Sequence, residues 1–352
     1  MTPVTTAAAP ATMEDVAALA GVSTSTVSRA LRDSSLISSR TRERVRQAAA
    51  QLDFALSRTA SALATGRLGR IGLLVSGPLN SWFNSSVLDA AYATLREAGQ
   101  ELVIYRAKNA ADRSHFFNTL PAQRNVDALI VASFTLRSEE YARLAELSVP
   151  VVYLNQRVEG SASVFIDDVA AAVTGARHLI NLGHRRIGYV TTRNPEGFTF
   201  SAARRFDGVR QAVEEHHRAY GSDPVETLTV TVDATGGGPE VGQLAVGQLL
   251  SGTFLPTAVI TESDEVAMSL LPALRRAGLD VPTGISVLGF DDNALAPLFD
   301  LTTVAQPVAE LGQAAARAAL ALTEGATDGL DELHQELATR LVLRGSTAVP
   351  RP

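Results

Sequence analysis

The sequence contains no cysteine. Disulfide frameworks, thiolate metal sites, thiol nucleophiles and iron–sulfur clusters are therefore excluded, and the composition fits a reducing compartment. Long apolar runs are also absent. No stretch approaches the roughly 18 residues that a membrane span requires, and residues 1–12 lack the basic start and apolar stretch of a signal peptide. We therefore expect a cytoplasmic protein with no membrane partner.

Charge is scarce and unevenly placed along the 352 residues, of which 19% are charged and 46% hydrophobic. This balance is ordinary for soluble globular proteins, and the length is enough for two or three domains. Residues 1–70 contain nine Arg against five Asp or Glu, whereas the rest of the chain is acidic and brings the net charge to −6. A basic head before an acidic body fits a nucleic-acid-binding head on a soluble body, although charge alone does not decide this.

The first part of the chain is predicted to be a disordered tail followed by short helices. Residues 1–11 are small and punctuated by proline, as in disordered tails. Thr12 and Asp15 form a capping-box-like start for a helix over residues 13–20, which Gly21 ends. A second helix is predicted over residues 24–31. A third helix opens at Ser38 or Ser39, with its apolar stripe on Val45, Ala49, Leu52 and Phe54.

From Ile71 onward, apolar β-rich runs alternate with helical segments. The runs are residues 71–75, 101–105, 127–132, 149–154, 186–190, 227–230, 257–260 and 285–290, with a last strand near Arg340–Leu343. Strands separated by helices indicate βαβ units, and continuous apolar strands indicate sheets covered on both faces. Eight such strands predict an α/β body of two doubly wound parallel-sheet lobes, after the small all-α head.

Features typical of enzymes are weak. The adjacent carboxylates at residues 167–168 and 291–292 point in different directions, which does not suit a catalytic pair. The glycine-rich run at residues 235–242 lacks the Lys-Ser/Thr of a P-loop and contains Pro239. His184 lies in a predicted turn without a nucleophile. We therefore expect no catalytic residues, no cofactor and no metal site.

Residues 12–31 have the spacing of a helix-turn-helix, in which the second helix enters the DNA major groove. Hydroxyl side chains and Arg29 lie on the outward face of that helix, and they suit phosphates and base edges. The alternative is a capped helical hairpin with a solvated polar face. The candidate DNA contacts are Ser23, Thr24, Ser25, Thr26, Ser28 and Arg29.

The run DVAALAGVSTSTVSRAL, Asp15 to Leu31, resembles the DNA-binding head of the LacI/GalR family of transcriptional regulators. The resemblance continues through Ser38–Phe54 into residues 56–63. By this resemblance residues 56–63 are the family's hinge helix, which packs in the operator minor groove with Leu63 wedged at a base step. It implies DNA contacts at Ser57, Ala60 and Leu63.

The body resembles the family's periplasmic-binding-protein-like core from Gly69 to Ser346, most strongly over residues 178–190. This resemblance implies two lobes around a ligand, joined by three crossovers near residues 168, 295–305 and 330. The predicted domains are a tail (1–11), a helix-turn-helix domain (12–56), a hinge and linker (57–70), an effector-binding and dimerisation domain (71–346) and a tail (347–352). The predicted N-lobe is residues 71–168 and 306–330, and the C-lobe is residues 169–300 and 331–346.

Polar and aromatic side chains at the strand ends are the candidate effector site, since open α/β sheets bind ligands there. Trp82 is either a stacking surface for a sugar or aromatic ligand, or an ordinary half-buried aromatic at a helix start. The resemblance implies that Arg205 and Asp291 bind ligand, and we expect them to face each other across the cleft, with Asp292 capping the next helix. The full candidate set is Trp82, Phe83, Asn155, Ser201, Arg205, Ser263, Asp291 and Gln306.

Together these observations predict a repressor of carbohydrate-metabolism genes that responds to a ligand and is not an enzyme. It is expected to bind a palindromic DNA operator as a homodimer and a small polar effector, a sugar or derivative, between the lobes. The alternative is a sugar-binding or sugar-processing α/β protein without sequence-specific DNA binding, which a gel shift distinguishes. The sequence leaves open the effector, the operator, the direction of the response and any oligomer above a dimer.

Overall fold

The computed structural model describes residues 11–31, 36–54, 66–234, 238–325 and 334–351. The chain divides into two compact units, Met1–Gly69 and Arg70–Pro352. The described residues contain 11 α-helices and 12 strands. Among these residues, no helix combines the length and the apolar character that crossing a membrane requires.

The described residues of the first unit contain three helices, with the first two at their predicted bounds. They are α1 (Met13–Ala20), α2 (Thr24–Leu31) and α3 (Ser39–Gln51). The start of α1 is a capping box, because the Asp15 amide donates to Thr12 Oγ1 and the Thr12 amide donates to Asp15 Oδ2.

All three helices contribute to one small core. Its fully or nearly buried members are Val16, Ala17, Ala20, Val27, Ala30, Val45, Ala48 and Ala49. Leu19 of α1 is apolar but 50% exposed. An eight-residue helix packed against two others buries only a narrow stripe, and Val16, Ala17 and Ala20 fill it.

The second unit consists of two lobes, each built around a six-stranded sheet. The first lobe contains β1 (Arg70–Ser76), α4 (Trp82–Glu97), β2 (Glu101–Ala107), α5 (Ala110–Thr119), β3 (Ala128–Ala132), α6 (Ser138–Ala145), β4 (Val151–Leu154), β5 (Ala162–Phe165), α11 (Val308–Thr323) and β11 (His334–Glu336). The second lobe contains α7 (Asp168–Asn181), β6 (Arg186–Arg193), α8 (Arg205–Ala219), β7 (Glu226–Asp233), α9 (Pro239–Leu250), β8 (Ala258–Thr261), α10 (Asp264–Arg276), β9 (Ser286–Asp291), β10 (Thr302–Ala305) and β12 (Arg340–Val342).

Both sheets have the same doubly wound topology. The first has the order β11-β5-β4-β3-β1-β2 and the second β12-β10-β9-β8-β6-β7. All pairings are parallel except that of β10 with β12. In each sheet the strand order reverses beside its first strand, β1 or β6. The carboxyl ends of the strands at such a reversal are where this fold class binds ligands.

The chain passes between the lobes three times, and two of these crossovers differ from our prediction. It leaves β5 for α7 at residues 166–167, close to the predicted position. It returns from β10 to α11 at residues 306–307 rather than within 295–305, and it crosses last at 337–339 rather than near 330. β10 therefore belongs to the second lobe.

β11 corrects the predicted lobe boundary at residue 331. His334–Glu336 pairs in parallel with β5 of the first lobe, whereas we assigned residues 331–346 to the second. Its sequence, His-Gln-Glu, is three residues long and polar, so it carries no strand pattern. Short polar edge strands form through pairing with a neighbour, which a local pattern does not reveal.

Candidate functional site

The second helix of the first unit presents the predicted DNA-contacting side chains to solvent. Thr24, Ser25 and Arg29 are exposed, while Thr26 and Ser28 are half-buried. Ser23 is exposed and its hydroxyl accepts a hydrogen bond from the Thr26 amide, so it caps the start of α2. Its Oγ also lies 2.9 Å from both Thr26 Oγ1 and Ser25 Oγ, so these three hydroxyls interact within the helix start. Thr24, Ser25 and Arg29 are the exposed side chains of α2 among the predicted contacts.

The predicted hinge contacts lie outside the described residues. Ser57, Ala60 and Leu63 fall within residues 55–65, which the structure does not describe.

A cavity of about 420 Å³ lies between the two lobes of the body. The first lobe lines it with the ends of β1, β3 and β4, and with the start of α4. The second lobe contributes the ends of β6 to β9 and the segment that leads into α8. Seven of the eight predicted effector residues line it: Phe83, Asn155, Ser201, Arg205, Ser263, Asp291 and Gln306.

Trp82 is the predicted effector residue that is not among the described lining residues. It is the first residue of α4 and packs against the hydrophobic core. Of the two interpretations of Trp82, the structure therefore agrees with an ordinary half-buried aromatic residue at a helix start. Its backbone N–H donates to Glu265 Oε1 of the second lobe at 3.3 Å. The aromatic surface of the cavity comes instead from Phe83, Phe198 and Phe200. The last two precede Ser201 in a segment that carries no strand or helix pattern.

Four buried polar atoms in the cavity wall have no hydrogen-bond partner among the described residues. They are Ser76 Oγ, Ser133 Oγ, Asn155 Oδ1 and Gln306 Oε1. Leaving a buried polar atom unpaired costs about 1–3 kcal/mol, and native proteins rarely do so without a functional reason. Three of these atoms belong to the first lobe and the fourth to the crossover at residues 306–307, and all four are available to hydroxyl or amino groups of a ligand.

Backbone strain is concentrated at the same wall. Ser133, Asn155 and Asp291 have φ values of 61°, 56° and 129°, although none of them is glycine. Such conformations cost about 1–3 kcal/mol each and are typical of ligand-binding and active sites. Each of the three follows or ends a strand, so the turn away from the sheet aims its side chain at the cavity.

Arg205 is held by groups of its own lobe. Its Nε donates to Asp168 Oδ1 at 2.8 Å, and its Nη1 lies 3.5 Å from Asp291 Oδ1 and donates to the Glu262 carbonyl. The guanidinium carbon is 3.5 Å from the centroid of the Phe290 ring. Burial lowers the pKa of Arg205, but the two carboxylates outweigh it and leave the pKa above its ordinary value. The side chain is a permanent buried cation.

This arrangement corrects our expectation that Arg205 and Asp291 face each other across the cleft. Both belong to the second lobe, one at the start of α8 and the other at the end of β9. Asp168, which the sequence presented only as half of an adjacent carboxylate pair, is the closest partner of Arg205. Nothing in the local sequence around Asp168 signals this contact, because 37 residues separate the two.

Asp291 is the most strongly perturbed carboxyl of the wall. Burial raises its pKa well above the ordinary value, against the opposing effect of Arg205. Gln306 Nε2 donates to Asp291 Oδ1 at 2.5 Å, so the crossover residue orients this carboxyl toward the cavity. Asp292, which we expected to cap a helix, is instead paired with Arg344, with 2.7 Å between Oδ1 and Nη2. Ser263 acts as a cap, since its Oγ accepts from the Val266 amide at the start of α10.

Two regions of the chain match known protein families. Residues 12–56 match the family described as bacterial regulatory proteins, lacI family, and residues 176–347 match the periplasmic binding protein-like domain. The chain is 33% identical over 324 residues to the HTH-type transcriptional regulator GalS of Salmonella typhimurium, covering 91% of each protein. The chain belongs to the lacI family of bacterial regulatory proteins. It is accordingly a transcriptional regulator and not an enzyme.

Other lacI-family proteins support this assignment. The ribose operon repressor of Haemophilus influenzae is 31% identical to this chain, covering 87% of the chain and 90% of the repressor. The solved lac repressor dimer, bound to operator and an anti-inducer, superposes with a TM-score of 0.80 at 27% identity, covering 96% of this chain and 99% of that one. A complex of the regulator CelR with cellobiose superposes at 0.67 with 28% identity, over 96% and 99% of the two chains.

Proposed function

We propose that this lacI-family regulator is a cytoplasmic repressor of carbohydrate-metabolism genes that binds a mono- or disaccharide, or a derivative, in the interlobe cavity. The observation that carries the proposal is the cavity wall itself, where four unpartnered polar atoms lie beside three phenylalanine rings. The hydroxyl groups of a polyhydroxy ligand can form hydrogen bonds with these polar atoms, while the phenylalanine rings pack against its apolar faces.

The relatives favour a sugar as the effector. The names of the ribose operon repressor and of the CelR–cellobiose complex contain a sugar. The name of the transcriptional repressor PurR of Klebsiella pneumoniae, which is 30% identical to this chain, does not. A ligand that touches both lobes favours one closure angle over another. Allosteric coupling of this kind typically changes affinity at the other site by about 1–3 kcal/mol.

On DNA the protein is proposed to be a homodimer on a palindromic operator. One helix-turn-helix reads one half-site, and two-fold symmetry of the operator mirrors that of the protein. The lac repressor, with which this chain superposes over almost its whole length, is a dimer in its operator complex. Thr24, Ser25 and Arg29 are the proposed base contacts, and Ser57, Ala60 and Leu63 the proposed hinge contacts.

The effector is tested by thermal shift of the full chain against monosaccharides, disaccharides, sugar phosphates and nucleosides. Ser76→Ala removes an unpartnered buried hydroxyl, so it should raise the unliganded melting temperature or leave it unchanged, and it should weaken binding of the hit about 2- to 10-fold. Trp82→Phe, outside the cavity, is the matched control and should bind as the parent does. A panel with no stabilising sugar, or turnover of the sugar, would contradict the proposal.

DNA recognition is tested by fluorescence anisotropy with the protein's own upstream region and a scrambled duplex. If Arg29 forks onto guanine, Arg29→Ala should cost about 1–3 kcal/mol on the operator and relax preference at one base pair. An equal loss on both duplexes would make Arg29 a phosphate contact. Equal affinity of the parent for both duplexes would overturn the repressor function.

A further inference from the structure

A segment of the second lobe reaches over and pairs with the first. Residues 194–201 connect β6 to the turn before α8, and both of these elements belong to the second lobe. The Thr135 amide donates to the Thr199 carbonyl at 2.7 Å, and the Ser201 amide donates to the Ser133 carbonyl at 3.3 Å. Phe134 and Phe200 form the antiparallel bridge between these two bonds. Two lobes that the chain joins by crossovers are thus joined again by a short non-covalent β pairing.

Phe198, next to this pairing, inserts into the first lobe. It is 5% exposed and belongs to the core cluster formed by the first-lobe residues Phe116, Phe134, Leu136 and Tyr153. Its ring meets the Phe134 ring edge to face, with 5.9 Å between centroids and 79° between planes. This is the geometry that favours aromatic pairs. Phe198 therefore buries its ring in the core of the lobe to which it does not belong.

Phe198 lies in a socket formed by Phe134 on one side and by Arg113 of the first lobe, with its partner Glu140, on the other. The Arg113 guanidinium carbon is 5.2 Å from the Phe134 ring centroid and 5.1 Å from that of Phe198, within the range of cation–π attraction. Two hydrogen bonds to Glu140, of 2.6 Å and 2.5 Å, hold the guanidinium, and it also donates to the Thr135 carbonyl at 2.9 Å. Burial raises the pKa of Glu140, but the bonds to Arg113 outweigh this and leave it below its ordinary value.

The socket is complete within the first lobe, whereas the inserted ring comes from the second. The contacts of Arg113 with Glu140 and Phe134 all lie within the first lobe, so no residue of the second lobe is needed to form the site that receives one aromatic side chain. Withdrawing Phe198 would expose an apolar ring and open the face of a buried ion pair. Both changes are unfavourable, so the contact favours the closed arrangement even without a ligand.

We propose that Phe198 is a latch that holds the two lobes closed and thereby positions Phe200 and Ser201 in the cavity wall. Those two residues follow Phe198 after Thr199, and Asn155 Nδ2 of the first lobe donates to Ser201 Oγ at 2.9 Å. Phe198 lines the cavity itself, and toward Phe200 and Ser201 it acts as a positioning residue, because its insertion fixes where these two residues lie. The proposal concerns the protein without ligand or DNA, so it stands or falls separately from the repressor function.

The test is amide hydrogen exchange by mass spectrometry on the full-length protein without ligand, for the parent and Phe198→Ala. Residues 199–203 and the Thr135 amide should exchange at least tenfold faster in the variant, while β8, in the second-lobe core, should keep its protection. Phe198→Tyr retains the ring and should restore the slow exchange. Protection within twofold of the parent in Phe198→Ala would overturn the latch.

Phe116→Ala is the matched control, because Phe116 is a ring of the same cluster and is also 5% exposed. It belongs wholly to the first lobe. It should loosen α5 and β2 and leave residues 199–203 protected. If Phe116→Ala and Phe198→Ala accelerate exchange in the same segments, Phe198 is an ordinary core residue and the proposal is wrong.

Discussion

Arg205 shows how a single residue of the cavity serves the fold before any ligand arrives. Its guanidinium pairs with the buried Asp168 carboxylate, lies 3.5 Å from Asp291 Oδ1 and packs against Phe290. The family resemblance identified Arg205 and Asp291 as neighbours of a ligand, but only the three-dimensional packing brings in Asp168. A sequence predicts which side chains lie at strand ends; it does not predict pairings between residues that are distant in the chain.

Replacing Arg205 should therefore destabilise the body as well as alter the effector response. Arg205→Ala leaves two carboxyls buried without their cation, and breaking a buried pair in this way costs about 3–5 kcal/mol. Urea denaturation of the full chain measures this. The control is Arg193→Ala, which also lines the cavity but is paired with Asp233 at an exposed position, and its denaturation midpoint should stay near that of the parent. Equal midpoints for the two variants would refute the buried-pair account.

Asp264 should make stability depend on pH. Burial raises its pKa from 3.8 to about 7, against hydrogen bonds from Thr303 Oγ1 and the Asn293 amide; the charge of Asp292 also raises this pKa and that of Arg344 lowers it. The folded state then binds a proton more tightly than the unfolded state. The contribution of Asp264 to the free energy of unfolding is therefore greatest below about pH 4, and it falls as pH rises toward 7.

The measurement is the melting temperature of the protein between pH 5 and 8. Asp264→Asn should flatten the decline without removing it entirely, because the pKa of Asp291 is raised in the same direction by burial. Asp89→Asn, an exposed position on α4, should keep the parental slope. A parental slope in Asp264→Asn would assign the dependence to other groups.

At the scale of elements, apolar continuity predicted most strands and missed three short ones. All eight apolar runs and the last strand near residue 340 are strands in the structure. The missed strands are β5, β10 and β11, which are four, four and three residues long. Length alone does not explain this, because β4, β8 and β12 are equally short and were predicted. The missed strands contain Ser, Thr or charged residues instead of a continuous apolar run, and they form because a paired neighbour supplies their hydrogen bonds. The segment that carries Phe198 and Phe200 was missed for the same reason.

Helix packing gives a prediction at this scale that uses two glycines of one helix. A Cβ on Gly242 of α9 would lie 2.0 Å from the Ser269 carbonyl oxygen of α10, whereas a Cβ on Gly247 meets nothing within 4 Å. Gly247→Ala should stabilise the protein by about 0.5–1 kcal/mol, because alanine restricts the unfolded chain and favours the helix. Gly242→Ala has the same intrinsic gain but should destabilise the protein by about 1–3 kcal/mol through overpacking. Chemical denaturation that ranks them in the opposite order would contradict this packing.

At the scale of the whole molecule, charge separates the two binding activities. The first 70 residues are basic and the remainder acidic, and the cavity lies in the acidic part. DNA is thus expected to be attracted by the first unit and repelled by the second. Composition alone indicated this division, and the family resemblance placed the effector site in the body, where the structure has the cavity.

Salt should accordingly separate operator binding from effector binding. Phosphate contacts release counterions, so operator affinity should fall steeply between 50 and 200 mM salt. A neutral sugar in a buried cavity releases none, and its affinity should change less than about twofold over the same range. Anisotropy and calorimetric titrations at several salt concentrations measure the two slopes. Equal slopes would indicate either a charged effector or an operator complex without extensive phosphate contacts.

The three crossovers of the body have a mechanical consequence. Each crossover is only two or three residues long, namely 166–167, 306–307 and 337–339. Three connections this short resist sliding, twisting and separation of the lobes. Bending about the line through the crossovers is the one soft motion that remains. A protease cut in any one of them leaves two crossovers in place. Cavity opening is therefore a single angular coordinate, and every contact that spans the lobes shifts the balance along that one coordinate.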